Sequence, residues 1–274
     1  MQKTYRVSRS GDETGLKHIW KTVFGDSDEY IDAFFQNMYT PGCARLCESN
    51  GQIVSAAYLL ELGNLVSPDI PAVPATVLYA FATLPEWRGA GIGGKVCNML
   101  LRDSKGTART VCPAEDSLFG YYKTCYGYEH FFYVYEKQLF AAKKPIDIYR
   151  VSASAYGEMR EKLLHDRTHI RYSGKVLRYQ QLLCRNTGGD MIGFEGGCAA
   201  YELRDGAVVL KELLTSGSVD NAAAAVCSAL KMERAVFRTP YTGKLGNKRP
   251  FAMVMPDYFI TAQITAPWFG FAFD

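Results

Sequence analysis

The chain lacks the features that would mark a membrane, a polyanion or a metal as its partner. No apolar run approaches the roughly 20 residues needed to cross a bilayer. Its 31 basic and 28 acidic residues leave a formal charge of only +3, with no basic block. Neither nucleic acid nor an anionic membrane surface is therefore expected as a partner. The four histidines, His18, His130, His165 and His169, form no triad spacing with a serine or cysteine, so hydrolase chemistry has no support. Eight cysteines are scattered through predicted helices and strands. Cys43 and Cys47 miss the CxxC spacing and have no His-rich partner, which argues against zinc or any other metal site. No secretory signal is legible, so reduced, mostly buried thiols and a cytoplasmic location are expected. What remains is a folded α/β chain, 48% hydrophobic over 274 residues, whose partner is a small molecule.

The first half is well punctuated. Tyr5 and Val7 alternate as in a short strand, and Leu16, Ile19, Trp20, Val23 and Phe24 form one helical stripe with Asp12 and Thr14 as candidate caps. A second stripe, Ile31, Phe34, Phe35 and Met38, follows Ser27 as N-cap and stops at Thr40-Pro41-Gly42. Asn50-Gly51 between 44–48 and 53–62 is a two-residue hairpin signal. The spacing then predicts a buried strand over 77–83, a helix opened by glycines, and a strand over 108–112, which together make a β-α-β unit. Ser117 to Tyr126 reads as a short aromatic helix and 130–139 as a last strand. Ala141-Ala142-Lys143-Lys144-Pro145 reads as a linker, so the expected domains are 1–143 and 144–274. The second half repeats the element order with a hairpin at Asp205-Gly206, a helix over 219–230 and a strand over 235–239, but has no glycine loop.

The run Arg88-Gly89-Ala90-Gly91-Ile92-Gly93-Gly94 carries most of the functional information. Glycines let the main chain approach an anion, and free N–H groups at a helix start favour negative charge. Gly89, Gly91 and Gly94 also satisfy GxGxxG, with Glu115 or Asp116 about where a Rossmann fold places its ribose-binding acid. Against that reading, Pro85-Glu86-Trp87-Arg88 intervenes between strand and loop, and antiparallel strands come first.

The stretch from Leu84 to Gly93 resembles motif A of the GNAT superfamily of acyl-CoA N-acyltransferases, Arg/Gln-x-x-Gly-x-Gly/Ala, with Arg88, Gly91 and Gly93 at the fixed positions. The helix-helix-hairpin order before it and the aromatic helix ending in Gly127-Tyr128 fit the same family over about the first 140 residues. The two-part layout is similar to the tandem acetyltransferases, including the enhanced-intracellular-survival type that modifies aminoglycoside amines. The resemblance implies a mixed, splayed sheet flanked by helices, duplicated, with a degenerate second copy. It implies acetyl-CoA as co-substrate, its pyrophosphate held by Arg88, Gly89, Ala90, Gly91, Ile92, Gly93 and Gly94. Main-chain groups of Phe81, Ala82 and Thr83 would serve the pantetheine arm and the thioester oxygen. The acceptor would be a small-molecule or peptide amine, and a homo-oligomeric state stays open.

An amine attacking a thioester must lose a proton, and the departing thiolate must gain one or be hydrogen-bonded. By the resemblance the thiolate falls to a tyrosine on the aromatic helix, and Tyr122 is the candidate, since a phenol of pKa about 10 stays protonated at neutral pH. Tyr122 stands five residues before Gly127, whereas the family spacing is four and puts Lys123 there. Either the helix end carries one extra residue or the acid is absent. Glu61, Glu115 and Asp116 are candidate bases, as is Asp274 by analogy with the two-copy relatives. Trp20, Phe24, Tyr30 and Phe34 are core or pocket wall. A non-catalytic acyl-CoA sensor or partner subunit is the alternative from another class.

Overall fold

The computed structural model describes residues 2–68, 70–240, 247–256 and 267–273. Contact density divides them into two compact units, the first comprising 1–62 with 74–112 and the second 63–73 with 113–274. This division differs from a cut at 143/144. The strand over 129–140, last of the expected first domain, makes its ladders with strands over 234–239 and 247–254.

The first unit contains β1 (Lys3–Val7), α1 (Glu13–Phe24), α2 (Asp28–Asn37), β2 (Ala44–Ser49), most of β3 (Gln52–Val66) and β4 (Val73–Thr83), α3 (Ile92–Asp103) and β5 (Ala108–Val111). Strand order is β1-β2-β3-β4-β5, antiparallel through β1, β2 and β3 and parallel between β4 and β5. Asn50 and Gly51 both take positive φ, 50° and 78°, as the tight β2–β3 turn requires. The Ser27 hydroxyl caps α2 by accepting from the Tyr30 amide. Leu16, Ile19 and Trp20 of α1 are buried with Ile31 and Phe34 of α2. Each such side chain contributes about 1.5–3 kcal/mol of burial.

Register assigns the helices to faces. Tyr58 pairs with Ala44, and its ring meets Trp20 and Phe34 at 5.6 and 5.3 Å. Three residues away, Ser55 pairs with Cys47, which also faces Tyr5, and the Tyr5 ring lies under the Lys95 ammonium of α3. An odd separation reverses the face, so α1 and α2 cover one side of this sheet and α3 the other.

The second unit contains α4 (Asp116–Tyr126), β6 (Glu129–Phe140), β7 (Ile148–Arg150), α5 (Ala153–Leu163), β8 (His169–Tyr172), α6 (Gly174–Asn186), β9 (Asp190–Phe194), β10 (Gly197–Arg204), β11 (Ala207–Thr215), α7 (Val219–Ala229), β12 (Arg234–Thr239) and β13 (Asn247–Val254). Its strand order is β13-β6-β12-β11-β10-β9-β7, while β8 pairs with the end of β3, Gly63–Val66. The series β7-α5-α6-β9-β10-β11-α7-β12 repeats β1-α1-α2-β2-β3-β4-α3-β5 once β8 is set aside. Pairing senses repeat as well: β7 is antiparallel to β9 as β1 is to β2, and β11 is parallel to β12 as β4 is to β5. The helix starts differ, because Ser218 caps α7 through its side chain whereas α3 begins at Gly91 without a side-chain cap.

A charged cluster sits in the second unit's interior. Glu212 of β11 accepts from Arg160 Nε (3.0 Å), Tyr156 Oη (2.6 Å) and Trp268 Nε1 (2.6 Å), and Arg160 also donates to the Ile170 carbonyl (2.7 Å). Arg160 and Glu212 are fully buried. Tyr172 Oη donates to the Phe269 carbonyl at 2.7 Å, so the 267–273 segment is fastened at several points. Burial and the adjacent Glu212 carboxylate push the Tyr156 phenol well above its ordinary pKa, so it stays a donor.

Two stability predictions result. Glu212→Gln leaves the buried Arg160 charge with only the more distant Glu161 carboxylate at 3.7 Å and should lower unfolding free energy by about 3–5 kcal/mol in urea titrations. Replacing Arg160 by Met in the same chain should recover part of that loss. Burial alone would raise the Glu161 pKa, but hydrogen bonds from His169 and Arg171 outweigh it and hold the value at about 2 against an ordinary 4.5. A depressed carboxylate pKa stabilises the fold above 4.5, and that contribution disappears as pH falls from 4.5 through 2. Glu161→Gln should therefore flatten the stability–pH curve in that window, measured by urea unfolding at each pH.

Candidate active site

The parallel β4–β5 ladder runs only from Ala75–Ala108 to Leu78–Val111. β5 ends there, and Pro113, which has no N–H, closely follows. β4 continues to Thr83, but not as a regular strand, since Ala80 has φ +42°, in the left-handed region. Tyr79 packs against Trp20 and Phe34 at 5.6 and 5.5 Å on the α1/α2 face. Phe81 and Thr83 instead lie against Gly93 on the α3 face. Residues 79 and 81 would share a face in a regular strand; the turn at Ala80 separates them.

The loop joins this strand end to α3. Pro85–Trp87 forms one 3₁₀ turn, and Arg88 Nε donates back to the Thr83 carbonyl at 3.0 Å. Gly89 and Gly91 hold φ of +78° and +69°, which other residues adopt at a cost, while Ala90 sits exposed between them. Gly93 is needed for closeness. A Cβ there would stand 2.9 Å from Thr83 Oγ1 and 3.1 Å from the Phe81 ring. Ile92 is buried and anchors the helix start, followed by Val96, Cys97 and Leu100 on the same face.

Ser27, Ser152, Ser173 and Ser218 cap α2, α5, α6 and α7 through their side chains. α3 has Gly91 at that position, which costs only about a few tenths of a kcal/mol relative to serine, and leaves the first-turn amides of Ile92, Gly93 and Gly94 outside the i to i−4 pattern. Such a terminus, with the positive end of the helix dipole, suits an anion. The structure thus brings Phe81, Thr83, Arg88 and Gly93 together around one loop. Of the main-chain groups beside it, the Ala82 carbonyl accepts from Ser55 Oγ at 3.0 Å and the Thr83 carbonyl from Arg88.

Tyr122 is on α4 in the other unit. It is buried, with its ring 5.5, 6.2 and 6.0 Å from those of Tyr121, Tyr126 and Tyr128. The helix end is wider than a regular one. Gly127, at φ +77°, donates to the Lys123 carbonyl at 3.0 Å, but the Tyr128 amide reaches back six residues to the Tyr122 carbonyl at 3.3 Å. Lys123 is exposed and ion-paired to Glu129 at 2.9 Å.

Glu61, Glu115 and Asp116 are exposed, and Asp274 lies outside the described residues. Trp20 and Phe34 are core, Phe24 is 44% exposed, and half-buried Tyr30 shares a 3.0 Å hydroxyl contact with Tyr79. The left-handed Ala80 and the Tyr30–Tyr79 pair have no signature in the sequence. Among the described residues no group of His, Cys, Asp and Glu could hold a metal ion, and no helix is long and apolar enough to cross a membrane.

Residues 4–131 match the family model of the acetyltransferase (GNAT) domain. Comparison with curated protein sequences finds no match. Solved structures share the fold at low identity. A conserved protein of unknown function from Enterococcus faecalis V583 superposes with a TM-score of 0.71 at 15% identity, covering 93% of this chain and 72% of that one. For a GCN5-related N-acetyltransferase from Kribbella flavida the values are 0.69, 15%, 92% and 70%. For Eis1 from Mycobacterium abscessus they are 0.63, 14%, 92% and 73%. The fold is the GNAT-like α/β type, a mixed sheet flanked by helices.

The loop geometry separates two kinds of glycine. Gly89→Ala has open space around its Cβ and should cost only the left-handed backbone penalty of about 1–2 kcal/mol. Gly93→Val must displace Phe81 and Thr83 and should lower Tm further than Gly89→Ala, measured by calorimetry.

Proposed function

We propose that this chain is an acetyl-CoA-dependent N-acetyltransferase that moves the acetyl group to a primary amine by direct attack on the thioester. The observation that carries this reading is the uncapped start of α3 beside a strand that leaves its parallel neighbour after Leu78. The amides from Gly89 to Gly94 would hold the pyrophosphate, with Arg88 tying the loop to the strand end. Main-chain groups of Phe81 to Thr83, past the end of the ladder, would receive the pantetheine arm. A backbone N–H aimed at the thioester oxygen is worth on the order of 3 kcal/mol of barrier.

In the reaction the amine nitrogen bonds to the thioester carbon, the C–S bond breaks, and the amine proton passes to a base or to water. Tyr122 is our candidate for donating a proton to the departing thiolate. Support comes from the α4 end, where the six-residue reach from the Tyr128 amide to the Tyr122 carbonyl is compatible with one extra residue and where Lys123 is engaged at the surface. The acceptor class, a small-molecule or peptide amine, comes from the family resemblance. The cytoplasmic assignment rests on the sequence reading.

We further read the chain as a tandem of 1–143 and 144–274 whose second copy has lost the anion site. The repeated element order and pairing senses support this, and Ser218 occupies the helix start that Gly91 leaves open. The units defined by contact density cut across that ancestral boundary because β6 pairs with β12 and β13.

Acetyl-CoA at a hundred times its Kd should stabilise the chain by about 2.7 kcal/mol, and a panel of polyamines, aminoglycosides, amino acids and peptides should yield amine-dependent release of free thiol. Stabilisation without thiol release from any amine would favour the sensor reading. Tyr122→Phe should lower kcat about 100-fold or more with acetyl-CoA affinity unchanged; wild-type turnover in that variant would remove Tyr122 from the mechanism.

A further inference from the structure

A groove of about 660 Å³ lies along α3, with Tyr5, Lys95, Met99, Arg102, Lys105 and Arg109 among its lining residues. Four of these are cations, and no carboxylate lines the groove among the described residues. The nearest acid in sequence, Asp103, is turned away in a salt bridge to Arg45. A second groove of about 480 Å³ behaves differently. There Arg6 is neutralised by Asp12 and Glu48 at 2.6 and 2.7 Å, all three lining the same depression.

Helix electrostatics explain only part of the cationic groove. Arg102 and Lys105 stand at the C-terminal end of α3, where the dipole favours positive charge. Lys95 stands in the first turns, at the positive end, where the same dipole opposes it. Its ammonium lies 5.5 Å over the Tyr5 ring and has no acidic partner among the described residues. The Tyr5 ring offsets that opposition, and the charge of Lys95, continuous with the others along a groove without a carboxylate, suits an external anion.

We propose that this groove is a second anion site, distinct from the glycine loop, that binds a nucleoside polyphosphate. The phosphates would lie along Lys95, Arg102 and Lys105, and Met99 and Leu101, which line the same groove, would give the base an apolar surface. At 1.5 Å per residue, Arg102 is about 16 Å along α3 from the loop. An anion seated on the loop amides therefore leaves Arg102 and Lys105 uncompensated. Clustered charge in a concave site also raises the local anion concentration.

The test is calorimetric titration of ATP into the full chain, with and without saturating acetyl-CoA. Expected are saturable binding that weakens with added salt, at least a tenfold loss in Arg102→Ala/Lys105→Ala, and unchanged ATP affinity when acetyl-CoA is present. The same double variant should bind acetyl-CoA as the wild type does. Absence of ATP binding at millimolar concentration, ATP affinity unaffected by the double variant, or mutual exclusion of ATP and acetyl-CoA would overturn the second site. Inorganic triphosphate binding as tightly as ATP would overturn the nucleoside assignment. Acetyl-CoA failing to bind while ATP still does would count against the proposed acetyl transfer and leave this site standing.

Discussion

The first unit is governed by how far β4 can share a ladder with β5. Four residue pairs, Ala75–Leu78 with Ala108–Val111, are all that form before β5 ends and β4 turns through Ala80. That backbone excursion sends Tyr79 into the aromatic group of α1 and α2, and Phe81 and Thr83 to the start of α3. α3 can approach them only because residue 93 has no side chain. With a regular strand and a longer ladder, the main-chain groups of 79–83 would be consumed by the sheet, and the glycine loop would face a closed edge.

The second unit solves the same sequence of elements differently. Its parallel ladder is also short, Val208–Leu210 with Ala235–Phe237, and β11 also runs on past it. Beyond that point Glu212 gathers Tyr156, Arg160 and Trp268 instead of leaving polar groups available. A serine hydroxyl closes the following helix. The two units differ less in topology than in how the corresponding helix starts: Ser218 caps α7 through its side chain, and α3 begins at Gly91 without one.

Legibility followed the same physics. In the first half, turns and caps used residues with single-residue signatures: Asn50-Gly51 at positive φ, Ser27 as cap, glycines before α3. Hydrophobic stripes there matched buried faces except at the end of α1, where Phe24 is 44% exposed. In the second half, α5, β8, α6 and β9 went unread because their interiors are partly polar. Arg160, Gln180 and Asp190 are buried at positions where a periodicity search expects apolar residues, and each is held by hydrogen bonds that the sequence does not announce, through the amide nitrogen alone in the case of Gln180. Within the site, the loop was readable and the bend beside it was not, since alanine has no preference for left-handed backbone. The wide end of α4, with its hydrogen bond from 128 to 122, was not legible either, since it is a property of the folded helix end.

The Arg160–Glu212 cluster also sets an order of events during synthesis. Its third donor, Trp268, and the Phe269 carbonyl that Tyr172 requires are among the last described residues to be made. Until they emerge from the ribosome, α5 and β11 hold an ion pair whose surroundings are incomplete, and water must stand in for the indole. Residues 1–62 and 74–112 are translated well before that moment. The glycine loop and its strand therefore leave the ribosome before the residues that complete the Glu212 cluster.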